Sequence, residues 1–214
     1  MAVDRKGNVY ASDYGLDRVV KFAPDGEFLL AWGESGAGAG QFDAPAGVAV
    51  DGADKVYVAD FYNHRIQVFS GEGKLLRVLG SEGSGEGQLH YPTDLALGEE
   101  GHFYVADAYN YRVQKWAPDG SFLAIWGAQG PGRDQFDVPS GIAVEGGVVH
   151  IADSANHRVV ARNTGGELLA VWELTDSTGP QIHSPTRVAA RGERIYLADT
   201  ANDRVVVLNL ERRR

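Results

Sequence analysis

The sequence predicts an all-β fold, a β-propeller of four-stranded antiparallel blades with five recognisable repeats. Three observations carry this reading. Asp13, Asp60, Asp107, Asp153 and Asp199 recur at steps of 47, 47, 46 and 46 residues, and Arg18, Arg65, Arg112, Arg158 and Arg204 each follow their Asp by five. Pro45, Pro92, Pro139 and Pro185 recur at steps of 47, 47 and 46. Within each repeat the apolar residues alternate or form short runs, which is strand patterning and not the helical period. Four short strands in a repeat of about 40–50 residues mark a propeller blade. A single blade cannot bury both of its faces, so blades stack around an axis and their faces become the core.

The strands follow in a fixed order. The innermost reads Gly47-Val48-Ala49-Val50, Leu95-Ala96-Leu97 and Ile142-Ala143-Val144 in successive repeats. The second reads Val56-Tyr57-Val58-Ala59, Phe103-Tyr104-Val105-Ala106 and Ile195-Tyr196-Leu197-Ala198. The third opens at each Arg, as in Arg65-Ile66-Gln67-Val68-Phe69, and the fourth is Phe28–Trp32, Leu75–Leu79, Phe122–Trp126 and Leu168–Trp172. All four are rich in the β-branched and aromatic residues that suit a pleated, packed surface. Ala23-Pro24-Asp25-Gly26 and Ala117-Pro118-Asp119-Gly120 place Pro and then Asp-Gly at the tight turn between strands three and four. Gly-rich stretches such as Ser35–Gly40 join one repeat to the next, and no helix signature appears. One domain spans 1–214, with blades at approximately 1–42, 43–90, 91–136, 137–183 and 184–214, the last incomplete.

The phrase Gly40-Gln41-Phe42-Asp43-Ala44-Pro45-Ala46-Gly47-Val48-Ala49-Val50-Asp51, followed by Val56–Asp60 and Asn63-His64-Arg65-Ile66-Gln67-Val68-Phe69, resembles an NHL repeat. The triplet that names the repeat stands here as Asn63-His64-Arg65 and Asn156-His157-Arg158. The resemblance covers nearly the whole chain and implies a propeller, often six-bladed, that presents one face to a protein and in some families to RNA. It leaves function open, because one scaffold hosts many activities.

Composition narrows the function classes. The chain has 214 residues, 43% apolar and 23% charged, which reads as a soluble globular domain. No apolar run approaches the length of a membrane span. The N-terminus lacks a signal-peptide core, so the expected compartment is the cytoplasm, or the outside if a leader is missing from the sequence. The absence of cysteine excludes disulfides, thiol catalysis and cysteine–zinc sites. A net charge of −9 repels a phosphate backbone, and the one basic run, Arg212-Arg213-Arg214, is a solvated tail, so RNA binding is the third-ranked function.

The repeated pairs Asp13–Arg18, Asp60–Arg65, Asp107–Arg112, Asp153–Arg158 and Asp199–Arg204 bracket the turn between strands two and three. Five copies point to a structural bridge, because a single site does not need five equivalents. Asn63, Asn110, Asn156 and Asn202 are turn residues of the same unit, and His150 is a packing variant where other repeats carry Tyr. His90 and His183 precede blade prolines but sit in separate blades, short of the three or four convergent ligands a metal requires. Gly38-Ala39-Gly40 precedes a strand and not a helix, so it is a loop and not a phosphate cradle. Trp32, Trp116, Trp126 and Trp172 are packing residues.

Two groups remain as binding candidates. Tyr14, Phe61, Tyr62, Tyr109 and Tyr111 sit in the Asp-to-Arg turns, where burial is not demanded, and together would form an apolar, hydrogen-bonding face suited to protein partners. Residues after each blade proline lead toward the axis: Ala46-Gly47, Thr93-Asp94, Ser140-Gly141 and Thr186-Arg187. Asp94 and Arg187 break the repeat's glycine there. With Thr93, Ser140 and Thr186 they complete the candidate site.

The expected function is therefore a non-catalytic scaffold that binds a protein or peptide on the face carrying the Asp-to-Arg turns, with no cofactor and no metal. The alternative is a lactonase- or lyase-type propeller enzyme with a central metal. The resemblance implies zinc-binding histidines after the blade prolines in the amidating lyases, whereas this chain has Ala46, Thr93, Ser140 and Thr186 at those positions. A further expectation concerns closure. The last repeat lacks a fourth strand, so Arg204 to Leu210 would be an open edge able to pair with another chain. The ring would then be part of a six-bladed propeller or be completed by self-association, against the alternative of a tight five-bladed ring.

Overall fold

The computed structural model describes residues 1–173 and 181–209. The tail Arg212–Arg214 and Leu210 of the expected edge lie outside the described residues. Five antiparallel sheets follow one another along the chain, four with four strands and the last with three. Blade one contains β1 (Ala2–Val3), β2 (Val9–Asp13), β3 (Arg18–Phe22) and β4 (Phe28–Trp32). Blade two contains β5 (Pro45–Val50), β6 (Val56–Asp60), β7 (Arg65–Phe69) and β8 (Leu75–Leu79). Blade three contains β9 (Pro92–Leu97), β10 (Phe103–Asp107), β11 (Arg112–Trp116) and β12 (Phe122–Trp126). Blade four contains β13 (Pro139–Glu145), β14 (Val148–Asp153), β15 (Arg158–Asn163) and β16 (Leu168–Glu173). Blade five contains β17 (Pro185–Arg191), β18 (Arg194–Asp199) and β19 (Arg204–Asn209). The first strands of successive blades pack side by side around the axis.

The expectation of no helix needs one amendment. Single 3-10 turns occur at Glu99–Gly101, Ala108–Asn110 and Thr200–Asn202. The second is closed by Tyr111 N–H donating to Ala108 O, and the same bond from His64 to Phe61 closes the turn of blade two. These are tight connections and not helices with a packed face.

Each apolar cluster is one blade-to-blade interface. Tyr10 and Val19 of blade one pack with Val56, Val58 and Phe69 of blade two. Tyr57, Ile66 and Val68 meet Phe103, Val105 and Trp116, and Tyr104 and Val113 meet Val149, Ile151 and Val160. Ala152 and Val159 meet Ile195, Leu197 and Val206. In the first three interfaces a Tyr-bearing face therefore covers the apolar face of the next blade, while blade four has His150 at the Tyr position. The linking loop drops one apolar plug into each interface: Phe42, Leu89, Phe136 and Ile182. Gly33 makes room for the first, since a Cβ there would lie 2.5 Å from the Phe42 ring, on backbone held at φ +99°.

The Asp–Arg pairs are the rivets of this arrangement. Arg112 Nε donates to Asp107 Oδ2 at 2.7 Å, while its Nη atoms donate to Ser84 O, Gly85 O and Gln88 O in the preceding loop. Asp107 also accepts from His90 N–H, Asn110 and Gln114. Arg65 and Arg158 repeat the pattern in their own blades. A buried charge pair is tolerated when its remaining donors and acceptors are filled, as they are here. Arg204 likewise donates to Asp199 and to Gln181 O, whereas Arg18 bonds Asp13 at 3.1 Å in a solvent-exposed setting.

Candidate functional site: an aromatic turn face over an axial cavity

Because the second strand ends at the Asp and the first begins at the Pro, Asp-to-Arg turns and Pro lead-ins fall at the same end of blades two to five. Pro45 pairs with Asp60, and Pro139 with Asp153. That end carries the aromatic residues. Phe61 lies edge-on to Tyr62 with centroids 4.8 Å apart and 5.0 Å from Tyr91, and Tyr91 lies 5.0 Å from Tyr109. His64 and His90 stack beside Tyr91 at 4.4 and 4.6 Å. Tyr14 lines one cavity with Phe61, which carries the patch onto blade one, and its hydroxyl is held above the ordinary tyrosine range, first by Tyr62 and then by desolvation. Tyr14, Tyr62 and Tyr109 keep about half their surface in solvent.

The turn aromatics named from sequence divide in two. Tyr14, Phe61, Tyr62 and Tyr109 are brought together. Tyr111 pairs with none of these rings; its left-handed backbone occupies the repeat position of His64, His157 and Asp17. Residues at that position serve the next blade: His64 Nδ1 accepts from Tyr91 N–H, His157 Nδ1 from Ser184 N–H and Asp17 Oδ1 from Ala44 N–H. Sequence reasoning did not include Tyr91, His64 or His90 in the patch. The available signal was that Tyr91 stands where other repeats have Ala44, Val138 and Ser184.

The residues after the blade prolines converge at the axis. A cavity of about 300 Å³ opens at the turn face between Ser12, Tyr14, Pro45, Phe61, Thr93 and Arg187. A second, of about 430 Å³, lies along the axis, with Asp94 and Arg187 in its wall. Arg187 lines both. Its Nη1 donates to Ser140 O at 2.8 Å and Thr186 O at 3.0 Å, and Nη2 reaches Thr93 O at 3.4 Å. Ser140 itself hydrogen-bonds Ser154 and the Pro185 carbonyl.

Asp94 is buried and accepts from Leu95 N–H at 3.0 Å and Ile142 N–H at 3.2 Å. Burial raises its carboxyl above the usual range, and Arg187 pulls it partly back. Among the described residues no cluster of three or more His, Asp and Glu is arranged to hold a metal, and no helix is long and apolar enough to cross a membrane.

The family profile described as NHL repeat matches residues 42–69 and 89–116, in blades two and three. No curated protein matches in sequence. Among solved structures the fold is similar to a virginiamycin B lyase from Staphylococcus aureus solved with quinupristin, at 14% identity and TM-score 0.69, covering 99% of this chain and 69% of that one. A chain of a nidogen/laminin complex matches at 20% identity and TM-score 0.75, with 98% of this chain and 74% of the other covered. A protein of unknown function from Bacteroides caccae matches at 16% identity and TM-score 0.72, with 98% and 76% covered. At such identities the likeness is one of fold.

Proposed function

We propose that this chain, a β-propeller built on the NHL repeat, is a non-catalytic interaction module that binds a protein or peptide segment on its turn face. The aromatic patch carries the reading: Phe61, Tyr62, Tyr91 and Tyr109 lie in one contiguous cluster at the turn end of blades two and three. Tyrosine supplies large, rigid contact area with a polar tip, which suits recognition at little entropic cost. The patch adjoins the 300 Å³ vestibule, where Phe61 is shared by both. A bound segment would lie across the rings and lower one side chain toward Arg187, beside the Thr93 and Ser140 carbonyls. A protein partner is known from the nidogen/laminin neighbour only for that complex; here it is the chemistry of the face that supports the assignment.

The test is selection of binders from a displayed peptide library on the purified chain, followed by titration against Tyr62→Ala/Tyr109→Ala. Both side chains are about half exposed, so the variant should fold. The reading predicts affinity at least about tenfold weaker in the double variant. Unchanged affinity would place binding elsewhere.

A further inference from the structure

The aromatic patch is framed by charge of one sign. The turns and linking loops around it, residues 13–18, 33–44, 60–65, 80–91 and 107–112, contain eight Asp or Glu and three Arg. Each arginine is spent inside its own turn, Arg18 on Asp13, Arg65 on Asp60 and Arg112 on Asp107. Five carboxylates are left over: Asp17, Glu34, Asp43, Glu82 and Glu86. None of them is in an ion pair among the described residues. Cations from elsewhere in the chain do not compensate. All five lysines belong to the opposite end of the blades. Lys6, Lys55 and Lys74 stand in the turns there, and Lys21 and Lys115 donate to Gly71 O and Thr164 O in two more. Arg187, beside Phe61, is taken up by three carbonyls and faces Asp94. The exposed Arg133 lies in the loop that enters blade four, outside these segments.

The leftover carboxylates bracket the rings. Tyr62 N–H donates to Asp43 O at 3.1 Å, which sets the exposed Asp43 beside the exposed Tyr62. Asp43 serves the fold through its backbone alone, since its N–H donates to Asp60 Oδ1 while its carboxylate has no partner among the described residues. Asp17 Oδ1 accepts from Ala44 N–H at 2.8 Å, which brings a second carboxylate to the same seam, from the turn that carries Tyr14. On the other flank Glu82 bridges to Leu89, next to His90 and Tyr91. We propose that the turn face recognises a cationic segment, an extended stretch of a partner protein whose Lys or Arg side chain lies across the Tyr62 ring and ends at Asp43 and Asp17. This rests on the turn-face reading and adds the partner's charge to it. The face of a tyrosine ring attracts a cation, and a carboxylate at its rim strengthens the hold. Charge complementarity also speeds encounter and rejects partners of the wrong sign. A segment rich in Asp, Glu or phosphate would meet five carboxylates and no cation free to receive it.

The probe is a displayed random peptide library, selected on the purified chain at low salt. The selected sequences should share a Lys or Arg at one position, and a synthetic copy with norleucine there should bind about tenfold more weakly. Asp43→Asn should weaken the basic peptide about three- to tenfold, and so should added salt. Glu72→Gln makes the same charge change on an exposed residue at the opposite end and should leave affinity unchanged. Circular dichroism checks that both variants fold. Binders that lose affinity in Tyr62→Ala/Tyr109→Ala, yet share no basic residue and ignore Asp43→Asn, overturn the cationic assignment and leave the turn face standing. Binders that ignore all of these substitutions remove the turn face, and this inference with it. A selection that yields no binder overturns it as well.

Discussion

Arg187 Nε lies 3.9 Å from Asp94 Oδ2, so a cation from blade five meets an anion from blade three across the axis. The blades that carry them are not neighbours. Glycines make the meeting possible: a Cβ on Gly47 would lie 2.6 Å from Asp94 Cα, and one on Gly141 2.7 Å from Arg187 Cα. The inner positions therefore alternate Gly, Asp, Gly and Arg, each glycine giving way to the charged residue of the next blade.

Arg187→Ala should loosen blade five. It removes hydrogen bonds to Ser140 O and Thr186 O and the cation nearest a buried carboxylate. The arginine is almost half exposed, so the expected cost is about 1–2 kcal/mol and not the larger penalty of a fully buried pair. Asp94→Asn added to this variant should recover part of the loss, since a neutral amide needs no cation. Urea unfolding of the two single variants and the double variant measures the coupling.

Gly47→Ala and Gly141→Ala should each destabilise by about 1–3 kcal/mol, because the added methyl meets backbone that cannot swing aside. Gly15→Ala is the control. Nothing lies within 4 Å of its Cβ and its φ is not in the left-handed region, so stability should stay level or rise. Thermal unfolding of the three proteins decides.

Much of this fold was legible because the repeat prints itself five times. Asp107 and Arg112 announce their pairing by spacing alone, and every copy reinforces the turn between them. The plugs Phe42, Leu89, Phe136 and Ile182 were not recognised as such, because they sit in Gly-rich loops where no strand period marks them. The site was less legible for a related reason. Tyr91 faces the turns of another segment, and nothing in the chain order joins it to Tyr62. Tyr111 was grouped with the patch by proximity in sequence, yet its backbone belongs to a position that serves the following blade.

Arg158→Lys should cost about 3–5 kcal/mol. Arg158 is nearly fully buried and donates to Asp153, Pro131 O, Gly132 O and Gln135 O, and an ammonium cannot reproduce that fork. The same change at Arg18, whose pair with Asp13 is exposed, should stay within about 1 kcal/mol. Chemical denaturation of the two variants, compared with wild type, tests the contrast.

The contribution of His150 to stability should fall as pH drops from neutral toward 4. His150 is buried, its Nδ1 has no hydrogen-bond partner, and desolvation lowers its pKa to about 4. The unfolded chain then binds the proton that the folded chain refuses, so stability is complete above about pH 6.5 and declines until the folded value is reached. The full loss corresponds to about 3 kcal/mol. His64 is shifted in the same direction by burial, and its Nδ1 must stay unprotonated to accept from Tyr91 N–H. His150→Phe should flatten the decline between pH 6.5 and 4; an unchanged slope in melting experiments would remove His150 as its source.

Hydrogen–deuterium exchange of the chain with a library-selected peptide bound tests the turn-face assignment most directly. The predicted footprint is slowed exchange at Tyr14, Phe61–His64, His90–Tyr91 and Tyr109, with the outer strands β4, β8 and β12 unaffected. Protection confined to those outer strands, or to β18 and β19, would contradict binding at the turn face.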